Sequence, residues 1–388
     1  MLVCLLYGSA LPWFLLSNLL PKPSLCLNSI AKRNVLLCAS PTLLTQDPTT
    51  IIQTEREQPS IIMTILVGNA MTPHISIVTP MFNRASLIGR MIRSCLGQDF
   101  AAFELIIVDG ASTDGSIAAV EQFDDPRIRL IRHAQNRGHC AARNTGVASA
   151  IAPWILFLDS DDELIEDALS IIAAKTHTVT EEIARLAFRY RLDNNSLSPE
   201  PWPSGTVFAY EQYIRWSDSV VLGDFSNCTR RDTFQLVPLS EDSLFESLYQ
   251  LNFAHQFQTL VCAEVVAMVH SGAPNRMSTT VTGITSLPRA EYAAAFLSSV
   301  DSTLRQHGEA LRAFAPNRWK SLSRTRITWA LLSRNKTAAI KAAVSHLCSF
   351  PLSITALGML MLGLFSPRAI IIGKRVKRFA ATVRGVAG

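Results

Sequence analysis

Two short apolar runs, each ending abruptly in carboxylates, constrain this chain more than any other feature. The first is Ile106-Ile107-Val108-Asp109-Gly110-Ala111-Ser112-Thr113-Asp114-Gly115, and the second is Ile155-Leu156-Phe157-Leu158-Asp159-Ser160-Asp161-Asp162. A continuous apolar run of this length reads as a strand buried on both faces, which requires a sheet covered on both sides. Acids at the C-terminal ends of such strands fall at the rim where open α/β folds bind ligands. Three carboxylates within four residues repel one another. Solvation relieves that repulsion, and a shared cation turns it into binding. A divalent metal holding a substrate's diphosphate is the chemistry that fits.

The flanking pattern supports a sheet of this kind. Strands are predicted at 75–80, 105–109, 128–132, 154–158 and 184–192, with one or two more within 257–269. Helices are predicted over 87–96, 116–123, 139–150, 164–175, 241–251 and 291–306. Asn83 or Ser86 is expected to cap the first helix, and Thr113 or Asp114 the second. Strand–helix alternation at this spacing argues for a parallel sheet with covering helices. Residues 194–204 and 271–288 are polar and turn-rich, and read as loops, the second as a mobile one.

The chain has 388 residues, of which 48% are hydrophobic. Its mean hydropathy of +0.21 is high for a soluble protein, so some segment is expected to meet lipid. The net charge of +5 conceals a polarity. Glu309 is the last acid, and the 79 residues after it hold fourteen Lys and Arg, leaving 22 basic and 31 acidic residues before that point. Such asymmetry points to a polyanionic surface as partner. The eight cysteines are scattered without a C-x-x-C pair, which gives no zinc spacing and reads as reduced thiols.

Residues 1–72 read as a disordered leader or an upstream extension, with an N-terminal anchor as the alternative. Residues 318–341 form a basic helical stretch containing Trp319 and Trp329. Residues 347–365 are almost wholly apolar, interrupted by Pro351 and Gly358. A single span takes about 20 apolar residues, so this segment is at the limit. Basic residues flank it on both sides, which disfavours a crossing. An in-plane or re-entrant segment on the cytoplasmic leaflet is the expected state, against a core helical hairpin with a solvated basic end.

Five segments in order resemble the family 2 glycosyltransferases of the GT-A fold, over about half the chain. They are Ile75-Ser76-Ile77-Val78-Thr79-Pro80-Met81-Phe82-Asn83-Arg84; the turn Ser94-Cys95-Leu96-Gly97-Gln98; Val108-Asp109-Gly110-Ala111-Ser112-Thr113-Asp114-Gly115; Asn136-Arg137-Gly138 with Ala142-Arg143-Asn144-Thr145-Gly146; and Asp159-Ser160-Asp161-Asp162, which matches the DxD motif. Each is weak alone, and the ordered set is specific. The resemblance implies a GT-A, Rossmann-like, mostly parallel sheet flanked by helices over residues 73–285. A helical, membrane-associated extension would follow over residues 286–388.

The resemblance also implies roles. Asp161 and Asp162 would supply carboxylates to Mg2+ or Mn2+ bridging to phosphate, and Asp159 would face the ribose. The competing reading makes these acids the N-terminal cap of the next helix. Asp109 would accept a hydrogen bond from the nucleobase, commonly uracil, unless it only closes an Asx-turn. Thr79 and Pro80 would line the same pocket through their backbone, with Asn83 and Gly110 beside them. Arg143 would touch phosphate or brace Asp109, unless it is a surface arginine. Ser240-Glu241-Asp242-Ser243 resembles the family's Glu-Asp motif, making Asp242 the general base with Glu241 as support. Capping of a helix is the alternative there. His270 and Arg276 would reach the diphosphate from the loop, unless they serve a plain loop role.

The expected activity is an inverting, metal-dependent transfer from a nucleotide-sugar, a UDP-sugar or a dTDP-sugar, to a lipid-linked or saccharide acceptor of envelope or extracellular polysaccharide. It would take place at the cytoplasmic face of a membrane. A phosphoribosyltransferase would not need the second acidic strand end. A nucleotidyltransferase of similar fold would open with a Gly-rich basic loop, and residues 79–85 hold no Gly. No G-x-G-x-x-G follows a strand, which argues against dinucleotide binding. A non-enzymatic membrane adaptor explains the basic tail and leaves the aspartates idle. Nucleic acid is not an expected partner.

Overall fold

Strands β1 (Ile75–Met81), β2 (Phe103–Asp109), β3 (Ile128–Arg132) and β4 (Trp154–Phe157) pair in parallel, in the spatial order β3-β2-β1-β4. Every residue of β2 is buried, both the apolar run Leu105–Val108 and the flanking Glu104 and Asp109. The chain order reverses at β1. From β1 it moves outward through β2 and β3, then returns to place β4 on the other side. The C-terminal ends of β1 and β4 therefore flank a topological switch point, where a crevice opens in a doubly wound sheet. The computed structural model describes residues 72–219, 225–241, 246–270 and 290–365, all within one compact unit spanning 68–388. The leader assigned to residues 1–72 lies, but for its last residue, outside the described residues.

The sheet continues beyond β4 through β9 (Ser226–Arg230), β6 (Ile183–Leu192), β10 (Gln258–Val269) and β5 (Glu163–Leu164). Strand β9 is antiparallel to both neighbours, so β6 and β10 again run with β1. Short β7 (Leu197–Ser198) and β8 (Val207–Phe208) hang on β6 and β10. The segment 257–269, expected as one or two strands, is a single strand with register shifts.

Helices α1 (Ile88–Leu96), α2 (Ser116–Val120), α3 (His139–Ser149) and α4 (Ala168–Thr178) lie among these strands in sequence. Neither Asn83 nor Ser86 caps α1, whose N-cap position, Leu87, makes no side-chain capping bond. Helix α4 starts later than the expected 164. Leu164 instead pairs with Ala267 of β10, so Asp159–Asp162 do not cap a helix. The turn ending in Gln98 clamps this region. Its amide donates to Ile165 O at 2.6 Å and accepts from Leu169 N at 2.9 Å, while Ser94 Oγ accepts from Leu164 N.

Helices α5 (Tyr210–Ser219), α6 (Thr233–Leu236) and α7 (Ser247–Gln256) precede β10. The helix expected over 241–251 starts at Ser247, with Glu246 at its N-cap position, and runs on to Gln256; residues 242–245 lie outside the described residues. The loop 271–288 lies outside it too.

Four helices follow: α8 (Ala290–Phe314), α9 (Pro316–Leu332), α10 (Lys336–Ser349) and α11 (Ile354–Phe365). They share an apolar core in which Phe296 stacks on Trp329 at 4.1 Å. The basic stretch 318–341 is two helices. Arg334 takes a left-handed φ of 61°, and the Asn335 side chain caps α10 by accepting from Ala338 N at 2.9 Å. The apolar stretch 347–365 is also broken, between Ser349 and Ile354. No helix among the described residues is long and apolar enough to cross a membrane.

Candidate active site

Three loops meet at the C-terminal edge of the parallel strands. The loop after β1 and the loop after β2 are laced together. Gly110 N donates to Met81 O at 2.8 Å, Asn83 N to Ser112 Oγ at 2.9 Å, and Thr113 N to Asn83 Oδ1 at 2.9 Å. Arg84 N and Ala85 N continue the lacing to Ser116 Oγ and Asp114 Oδ2. Asn83 thus ties two loops, which is why it does not cap α1. Asn83 (φ 53°) and Ala111 (φ 64°) both sit in the left-handed region. Asn tolerates this, whereas Ala does so at a steric penalty, so the surrounding hydrogen bonds hold Ala111 there.

Asp109 ends β2 with only 1% of its surface exposed, and its carboxylate accepts from Ser112 N at 3.1 Å. It closes its own loop; the N-cap position of α2 is Gly115, which makes no side-chain capping bond, so neither Thr113 nor Asp114 holds that position, and Asp114 accepts from Ser116 N from just outside the helix. Thr79 is buried in β1 opposite Ile107, and Pro80 lies opposite Val108. Thr79, Pro80, Asn83, Asp109 and Gly110 therefore converge on one corner of the crevice.

The second acidic loop follows β4 as a tight turn, with Asp162 N donating to Asp159 O at 3.1 Å. Its carboxylates are not equivalent. The Asp159 side chain is 48% exposed, whereas Asp161 and Asp162 are each only 6% exposed. Arg90 Nη2 on α1 donates to Asp161 O at 2.6 Å, and His270 N donates to Asp162 Oδ1 at 3.1 Å. The His270 imidazole lies between Glu163 (2.6 Å) and Asp193 (2.7 Å), so it braces the turn from behind. Arg276 lies outside the described residues.

Helix α3 joins the acidic turn to the segment before α7. Gly146 lets it approach β1, since a Cβ there would lie 2.3 Å from Val78 Cγ1. The close approach brings Arg143 to Asp159 at 2.8 Å, into contact with Glu246, and over the Phe157 ring at 4.8 Å. The bracing expected between Arg143 and Asp109 is thus replaced by a bridge between two other carboxylates. The next residue, Asn144, donates from Nδ2 to Leu239 O at 2.8 Å, and Arg137, just before the helix, pairs with Glu241 at 2.7 Å. Asp242 lies outside the described residues. The residues on either side of its segment, Glu241 and Glu246, are each held by an arginine of the 137–143 stretch. His139, 3.8 Å from Glu246, is pulled down to about 4 by burial and by the Arg143 charge, so it is neutral near pH 7.

Sequence reasoning missed Glu246, Arg90 and the pairing role of Arg137. Arg137 carried a signal, its place in the Asn136-Arg137-Gly138 motif. Glu246 carried none.

The donor set suits a hard divalent cation that arrives with phosphate. Mg2+ and Mn2+ take oxygen ligands, and Mg2+ commonly relies on one or two protein carboxylates, substrate phosphates and water. Among the described residues no three His, Cys, Asp or Glu side chains gather as a complete protein cage. The turn offers Asp161 and Asp162, with Asp159 more exposed beside them. That is the inventory for a cation completed by substrate oxygens.

Comparison with known proteins bears on the family and the fold. Residues 76–231 match the family described as Glycosyl transferase family 2. The succinoglycan biosynthesis protein ExoO of Rhizobium meliloti is 38% identical over 112 residues, which are 29% of this chain and 32% of that protein. The GalNAc(5)-diNAcBac-PP-undecaprenol beta-1,3-glucosyltransferase of Campylobacter jejuni is 35% identical over 108 residues, 27% of this chain and 35% of that enzyme. The chain thus spans about a third of the length of these two relatives. Among solved structures, S. aureus TarS 1-349 in complex with UDP-GlcNAc superposes with a TM-score of 0.50 at 17% identity. The match covers 71% of this chain and 91% of that one, and shows a shared fold.

Proposed function

We propose, from the premise that residues 76–231 are a glycosyltransferase family 2 domain, that this protein transfers a sugar from a nucleotide-sugar to a lipid-linked or saccharide acceptor. A UDP-sugar is the donor we favour, and the product is an envelope or extracellular glycan. The observation that carries the reading is the arrangement of carboxylates at the β1/β4 switch point. It has buried Asp109 on one side, the Asp159–Asp162 turn on the other, and Arg143 linking that turn to Glu246.

In this reading the nucleobase sits on the corner formed by Thr79, Pro80, Asn83, Asp109 and Gly110. Asp109 is already desolvated and aligned by Ser112 N, so accepting a base N–H demands no reorganisation. Asp159 faces the ribose side. Asp161 and Asp162 would hold a Mg2+ or Mn2+ ion, which would supply neutralisation of the charge on the diphosphate leaving group.

The acceptor hydroxyl attacks the anomeric carbon from the face opposite the diphosphate. One C–O bond forms, the C–O bond to the diphosphate breaks, and the hydroxyl proton passes to the Asp242 carboxylate. A single displacement inverts the anomeric configuration. Proton acceptance by a positioned carboxylate typically contributes about 10²–10⁴ in rate. Glu241, paired with Arg137, and Glu246, paired with Arg143, anchor the two ends of the segment bearing that base. The cytoplasmic face of the membrane is where nucleotide-sugars and a lipid-linked acceptor meet.

The test is a panel of nucleotide-sugars with membrane lipid extract as acceptor, read as nucleoside diphosphate release. Release with one donor class that requires Mn2+ or Mg2+ and disappears in Asp161→Ala supports the reading. No release with any donor, or release untouched by Asp161→Ala, sinks it.

A further inference from the structure

Helix α11 carries no charged residue along Ile354–Phe365, yet it lies at the surface. One side is accounted for. Ala356 is fully buried, Leu360 and Leu364 pack on the cluster containing Trp329 and Ala343, and Met359 Sδ lies 3.5 Å from Thr328 Oγ1. The other side presents Ile354, Leu357 and Met361, at i, i+3 and i+7, with half or more of each exposed. Leu352, in the turn before the helix, is 91% exposed, and Ile354 is 84% exposed. On α10, Ile340 and Val344 add a second exposed apolar pair at i, i+4. Exposed apolar side chains gathered on two neighbouring helices mark an interaction surface.

Charge identifies the occupant. Arg334, Lys336 and Lys341 are exposed on and beside α10, and Arg368, Lys374, Arg375, Lys377 and Arg378 follow α11 in sequence. No Asp or Glu occurs after Glu309. A second copy of the chain docking face to face would juxtapose two acid-free basic regions. An anionic lipid leaflet offers the opposite charge. The helix has 12 residues, about 18 Å of length, too short for a hydrocarbon core of about 30 Å. It suits a position in the plane of the interface.

We propose that Leu352, Ile354, Leu357 and Met361, with Ile340 and Val344 beside them, form an interfacial membrane-docking ridge. The ridge inserts among the headgroups of an anionic leaflet while Lys336 and Lys341 contact phosphate. This deepens the proposed function, because a lipid-linked acceptor places the transferase at a bilayer. The observations behind it are independent of the crevice.

The experiment is co-sedimentation of the full chain with vesicles of phosphatidylcholine alone or mixed with phosphatidylglycerol. The parent protein is expected to pellet with mixed vesicles and less with neutral ones. Leu352→Ser combined with Ile354→Ser should weaken partitioning about tenfold or more, given the area each buries. Lys336→Gln combined with Lys341→Gln should weaken binding to mixed vesicles only, by about tenfold. These side chains are exposed, and an unchanged circular dichroism spectrum verifies the fold. Three results overturn the proposal: no vesicle binding by the parent, equal binding by the Leu352/Ile354 variant, or a dimer in light scattering that this variant dissociates. Donor turnover is not the readout, so failure of the transferase reading leaves the vesicle result standing, and the reverse also holds.

Discussion

Arg143 Nη2 lies 2.8 Å from the carboxylate of Asp159. The same guanidinium contacts Glu246, 103 positions along the chain from Arg143, and stacks on Phe157. One side chain therefore couples the acidic turn after β4 to the segment leading into α7. A buried charge with two carboxylate partners in a cleft marks a functional site more often than a surface pair does.

Removing that coupling should damage turnover more than folding. Arg143→Ala is expected to lower kcat/KM for nucleotide-sugar turnover by about 10², the scale of a misplaced catalytic group. Arg143→Lys should recover only part, because a point charge does not reproduce a planar fork with two carboxylates. Steady-state nucleotide release, with a melting curve as control, separates the two effects. The Arg137–Glu241 pair is half-exposed, so Arg137→Ala should change stability by less than about 1 kcal/mol.

Gly146→Ala tests the approach of α3 to β1. The added methyl would lie 2.3 Å from Val78 Cγ1, inside the packed strand. Helix or strand must shift, at about 1–3 kcal/mol for overpacking. A lower urea midpoint with unchanged m-value is the expected result. The compensating Val78→Ala substitution should restore part of it.

His139 and His307 give a pH signature. Burial and, for His139, the Arg143 charge pull each down to about 4 in the folded state, against an ordinary 6.5. Between those values the unfolded chain binds more protons, so stability falls as pH drops from about 6.5 to about 4. Above 6.5 neither contributes. Both His307 ring nitrogens are engaged, by the Tyr210 hydroxyl and by Asn252 Oδ1. In chemical denaturation series at several pH values, His139→Asn should flatten the acid-side loss of stability and leave the neutral plateau with its own constant offset.

Much of the fold was legible because β1, β2 and β4 are local signals. Runs such as Leu105–Val108 are buried on both faces and need no partner information to be read as strands. Leu164 shows where local reading stops. It looked like the first apolar residue of a helix, but β10, a hundred residues later, recruits it into an edge pair. The 318–341 helix was read as continuous because Arg334 and Asn335 are ordinary helix-surface residues, and only the left-handed φ at Arg334 reveals the break. In the site, the acids were legible from type and spacing. Their partners were not. Nothing in the sequence says that Arg143 reaches Glu246, or that the His270 ring pairs with Glu163 and Asp193. Such pairings are made by topology, through the crossover that packs α3 against β1 and β2.

Asp242 carries the chemical step in this account. Asp242→Asn is expected to lower kcat by about 10²–10⁴ with little change in donor affinity. Asp161→Asn should instead raise the Mn2+ concentration needed for half-maximal turnover. A metal titration on each variant distinguishes the two roles.

The most direct measurement is calorimetric titration of UDP into the full chain with Mn2+ present, repeated on Asp161→Ala and Asp109→Ala. Saturable binding by the parent, weakened at least tenfold in each variant, is what a nucleotide diphosphate gripped at the β1/β4 crevice predicts. Absence of heat with UDP, GDP and dTDP alike, or equal affinity in the parent and both variants, would contradict it.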